Sequence, residues 1–209
     1  MTTATTSPQT TLVHSYFYLR RAIGLIGLAL PVVLIAGKQV FQGGDLAGSL
    51  SAYYYTDLRN VLVGSMCAAG VFLLAYYGHD FVDNVASTVA GLGAIGLALF
   101  PTTPGQDVSA WDRTSGVLHL VFAATFFLML AYFCLRLFPH DGEQPPGAGV
   151  AYRVCGGVIL ACLVLIALTS SLRLVPDLHP ALWLESVAVW AFGVAWLLKG
   201  QTLTPKSVP

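Results

Sequence analysis

Two ionisable residues interrupt apolar stretches in which charge is costly. His119 stands about one and a half turns into the run from Thr114 to Phe138, counting 3.6 residues per turn. Glu185 stands at a similar depth in the run from Ala181 to Leu198. An imidazole and a carboxylate brought together can exchange protons with a substrate as general acid and base. His119 and His179 with an acidic neighbour would also supply zinc ligands, although metal-ligand spacing within one element, such as H-x-x-x-H, is absent. Haem held between the two histidines ranks below zinc, because His179 lies in a loop.

Other polar residues gather around these two. Asp112 and Ser115 precede His119 by seven and four residues, which places all three on one helical face. Asp57, Arg59 and Asn60 stand at the mouth of another apolar stretch, directly after Tyr53, Tyr54 and Tyr55. Tyrosines suit the water–lipid boundary, where the ring sits among headgroups and the hydroxyl stays wet. An ionisable side chain below the headgroups costs several kcal/mol if it faces lipid, so inward orientation is expected. Arg59, His119 and Glu185 are therefore expected to converge near one mouth of a bundle, with Asn60 and Asp112 close by and Tyr54 and Asp57 at the rim. Three readings stay open: a polar lock that fixes helix register, a pocket for a small molecule or lipid headgroup, and a metal site.

Composition says what must position these groups. The chain of 209 residues is 56% hydrophobic and 10% charged, with a mean hydropathy of +0.73. Soluble domains carry about a quarter charged residues, and so few charges would leave broad apolar patches in water. Lipid as solvent removes that difficulty. Zero net charge opposes a nucleic-acid partner, which requires a concentrated basic surface. The four cysteines lie inside apolar runs without a C-x-x-C pair and read as buried free thiols.

Six spans are expected, at about 20–41, 59–77, 81–100, 114–138, 150–172 and 181–198. Each has close to the 20 residues that a ~30 Å hydrocarbon layer demands, and unsatisfied backbone there forces helix. Residues 1–19 read as a flexible tail and 200–209 as a second one. The rival reading of the first run, a cleaved signal peptide, suffers from a poor cleavage site near Ala36. The fold class is thus an all-α polytopic bundle in which residues 78–80 join antiparallel neighbours. Six arginines and lysines near span ends fall on the amino-terminal side and four on the other, so both termini are expected in the cytoplasm of a plasma membrane.

Three further features have bland explanations. Gly91, Gly93 and Gly96 form a G-x-G-x-x-G, but mid-span and without the strand–turn–helix context that nucleotide binding needs; close helix packing is expected instead. Pro31 should disturb its helix. Lys199 stands at a span end, where snorkelling towards water is expected in preference to a retinal linkage.

Four stretches resemble uncharacterised bacterial six-span membrane proteins: SAYYYTDLRNVLVG, AGLGAIGLALFPT, LHLVFAATFF and LESVAVWAFGVAWLLKG. That resemblance implies the six-span fold and brings no activity with it. A fainter similarity connects the chain to membrane hydrolases that include alkaline ceramidases and adiponectin-receptor-like proteins, which use histidines, an aspartate and a serine around zinc. It implies roles for His119, His179, Asp112 and Ser115, while Glu185 stands near where a late histidine pair would be. The expected function is an integral membrane protein with an outward-facing polar pocket. A membrane-embedded lipid hydrolase and a small solute carrier are the alternatives.

Overall fold

A computed structural model describes residues 8–76, 78, 80–140, 144, 146–172 and 174–201, with side chains from Arg21 to Gly200 apart from the omitted positions. The described residues form six helices: α1 (Pro8–Phe41), α2 (Arg59–Leu74), α3 (Phe81–Leu99), α4 (Ala110–His140), α5 (Ala148–Leu172) and α6 (Pro180–Gln201). Two single 3-10 turns, Ser51–Tyr55 and Pro176–Leu178, interrupt the connections, and no strand occurs among the described residues. Among the described residues five helices are long and apolar enough to cross a membrane: α1 from Arg21 onward, α3, α4, α5 and α6. By helix length and hydropathy this is a multi-pass membrane protein.

Several expected boundaries move. Helix α1 begins at Pro8, inside the stretch expected as a tail, and residues 1–7 lie outside the described part. Proline suits a first helical turn, where its missing N–H costs nothing. At the other end, α6 runs through Gly200 and Gln201, two residues into the second expected tail; residues 202–209 lie outside the described part. The second expected span, 59–77, shortens to the 16 residues of α2. Its exit is set by α3: Ser87 Oγ donates to the Tyr76 carbonyl at 3.0 Å, and Asn84 Oδ1 accepts from the Gly78 amide at 2.9 Å. Helix α4 starts at Ala110 instead of Thr114, because Ser109 and Asp112 form a reciprocal capping box.

The helices form a closed ring, each against its chain neighbours and α6 against α1. Glycine makes the closest crossings. A Cβ on Gly70 would stand 2.9 Å from the Gly91 carbonyl, and one on Gly91 would stand 2.8 Å from the Gly70 carbonyl. Gly93 and Gly96 meet Phe126 and Phe122 of α4 instead, so the glycine motif serves two neighbours. Beside Pro31, Trp190 Nε1 of α6 donates to the Leu28 carbonyl at 3.1 Å, a cross-helix bond close to the one that proline removes.

One end of the ring is closed by aromatic rings. Trp196 lies 5.4 Å from Tyr76, 5.4 Å from Phe133, 5.2 Å from Phe138 and 5.0 Å from Phe192, centroid to centroid. Beneath this floor Lys199 is 2% exposed, and its Nζ donates to the Phe138 carbonyl at 3.4 Å. The expectation that Lys199 snorkels to water is therefore corrected. The π-helical turn Phe133–Leu137 re-aims the last carbonyls of α4, and the negative end of that helix favours a buried cation.

Candidate functional site

The segment between α1 and α2 is folded over the opposite end of the ring. Its 3-10 turn needs an acceptor for the amides at its start, since the first N–H groups of any helical turn have no internal partner. Glu185 supplies it from α6: Oε2 accepts from the Leu50 amide at 2.8 Å and from the Ser51 amide at 3.4 Å. Oε1 makes no hydrogen bond or ion pair among the described residues.

The tyrosine triplet divides once this turn is formed. Tyr53 points into the core at 0% exposure, against the expectation of a boundary residue, and burial pushes its phenol above the ordinary pKa. Tyr54 receives the Arg59 guanidinium over its ring, 4.1 Å from the centroid, and its hydroxyl accepts a hydrogen bond from the same side chain. Tyr55 is 48% exposed and donates to the Thr102 carbonyl at 2.6 Å, which ties this segment to the exit of α3.

His119 is buried at that exit. Its Nδ1 lies 2.8 Å from the Phe100 carbonyl and 3.2 Å from the Leu97 carbonyl, so Nδ1 carries a proton to donate. Ser115, one turn earlier, donates to the Pro101 carbonyl at 3.0 Å. These two side chains satisfy the orphan carbonyls where α3 ends before proline.

The expected convergence is therefore only partly present. Arg59, His119 and Glu185 do share one end of the ring, but no hydrogen bond joins them; each holds a different partner. Asp112 is spent on the cap of α4, and Asp57 and Asn60 are exposed. His179 sits in the left-handed region (φ 48°) after the 3-10 turn Pro176–Leu178. Among the described residues no group of three or more His, Cys, Asp or Glu could hold a metal ion. A zinc site built on His119 and His179 would therefore lack a third protein ligand among the described residues, which do not fit that metal.

Beside Glu185 lies a cleft that none of Tyr54, Asp57, Arg59, Asn60, Asp112, Ser115 and His119 lines. Its volume is about 30 Å³, roofed by Leu50, Ser51 and Glu185 and walled by Leu30, Met66 and Val189 among others. A second void of about 30 Å³ shares the walls Leu30, Met66, Phe126 and Val189 and ends near Phe192, above the aromatic floor. Each has room for roughly two water molecules, at ~10–15 Å³ apiece. The only signal for either in the sequence is the stripe Glu185, Val189, Phe192, Trp196 along one face of α6. Comparison of the chain with protein-family models, with curated proteins and with solved structures finds no match.

Proposed function

We propose that this multi-pass membrane protein is a binding protein without catalytic machinery, whose interior cleft takes a small amphiphilic molecule or a lipid headgroup. The observation that carries the reading is the pair of adjoining voids between α1, α2, α4 and α6, polar at the Glu185 roof and apolar below. Apolar walls with one or two placed polar groups are the lining of small-molecule sites, and at about 30 Å³ each these voids must widen to admit one. The hydrolase alternative gains no support from the geometry, because His119 and Glu185 are each committed to separate backbone groups.

The reading includes α2 as a sixth crossing. Its 16 residues rise about 24 Å at 1.5 Å each, and the flanking segments extend the path towards ~30 Å. It also places both termini in the cytoplasm and the Glu185 end outside, on the distribution of arginine and lysine, and groups the chain with the bacterial six-span proteins on the four stretches quoted above.

Two measurements test it. Native mass spectrometry of gently extracted protein should show a bound amphiphile that Ala123→Leu, which fills the cleft wall, removes. No adduct, or an adduct indifferent to that substitution, overturns the binding reading. In intact cells an impermeant maleimide should label Asp107→Cys but not Gly147→Cys; the reverse pattern overturns the orientation.

A further inference from the structure

The geometry points to an organic cation, a protonated alkylamine or similar ammonium amphiphile, as the class of ligand taken by this cleft, with Glu185 Oε1 as its counter-ion. The inference rests on the cleft being a binding site and adds what kind of molecule it selects. Glu185 faces the cleft with one oxygen engaged by the Leu50 and Ser51 amides and the other unengaged among the described residues. The two amides orient the carboxylate but carry no net charge. An ionised group beneath the headgroups is costly until a charge of opposite sign meets it.

Two of the chain's cations at this end are committed elsewhere, and Arg113 is exposed at the start of α4. Arg59 stacks on Tyr54, and Lys38 Nζ donates to the Gly43 carbonyl at 2.9 Å and the Asp45 carbonyl at 2.5 Å. Lys199 is at the far end of α6, four turns and about 21 Å away along the axis. The remaining lining of the cleft is Ser51 and apolar residues, with no second ionisable group.

Shape agrees with charge. Met66 lines both voids, as do Leu30, Phe126 and Val189, and of the four its unbranched side chain yields most readily. Together the voids run from the carboxylate past Val189 to Phe192; at about 30 Å³ each they seat a compact positive head, and a short apolar tail enters only as Met66 and its neighbours part.

The test uses the full chain in uncharged maltoside micelles and three probes of equal tail length: n-octylammonium, n-octanol and n-octanoate. Their effect is read as the shift in thermal unfolding midpoint across a titration. Octylammonium should bind with an apparent Kd roughly tenfold below that of octanol, and octanoate should bind worst. Glu185→Gln keeps an oxygen for the Leu50 and Ser51 amides while removing the charge, so it should fold and lose the preference for the amine. If octanol or octanoate stabilises the wild-type protein as well as octylammonium does, the cation inference is overturned and the binding cleft survives. If none of the three stabilises it, both are overturned. Retention of the amine preference in folded Glu185→Gln removes Glu185 as its source.

Discussion

The two ends of α6 solve one problem in opposite ways. Each carries an ionisable residue on the same inward face, Glu185 at one end and Lys199 at the other, and each is met by main-chain groups of complementary polarity. Glu185 accepts from amides at the start of a 3-10 turn, whereas Lys199 donates to a carbonyl at the end of α4. The surroundings differ. Lys199 is sealed under Trp196, Phe138 and their neighbours, while Glu185 looks into an open cleft. A charge packed tightly at one end is part of the scaffold. A charge with one atom left over at the other end is available to something else.

The sealed end should therefore be the more sensitive to truncation. Trp196→Ala removes a side chain that is 1% exposed and central to the floor, and should cost about 3–5 kcal/mol, measured as a loss of unfolding midpoint in detergent. Next come the two residues that hold backbone groups at the open end. His119→Ala strands the Leu97 and Phe100 carbonyls, and Glu185→Ala strands the Leu50 and Ser51 amides; each should cost about 1–3 kcal/mol.

Hydrogen exchange sharpens the contrast. Glu185→Ala should speed exchange at Leu50 to Thr56 and leave α4 and α5 as they were, since only the roof hangs from that carboxylate. Equal loss of protection at both ends would show that the roof is as integral as the floor, and the comparison would fail. The smallest effect belongs to Arg59→Ala, about 0.5–1 kcal/mol, because its stacking on Tyr54 is partly solvated. A larger loss there would make Arg59 part of the scaffold after all.

The amino-acid sequence determined the apolar helices, the stop of α3 before Pro101, the close glycine crossings and the inward placement of His119 and Glu185. These follow from hydropathy, proline stereochemistry and side-chain size, all of which act within a few turns of chain or on any neighbour. It misplaced Tyr53, Asp112 and Lys199, and it joined Arg59, His119 and Glu185 into one cluster that the fold keeps as three separate contacts. The tertiary structure alone decided those partnerships, because the groups that receive Glu185 and His119 are peptide amides and carbonyls. Such groups are the same in every residue and leave no mark on composition or spacing. Only the path of the chain, which brings Leu50 to a carboxylate 135 positions away, determines which of them are left in want of a partner.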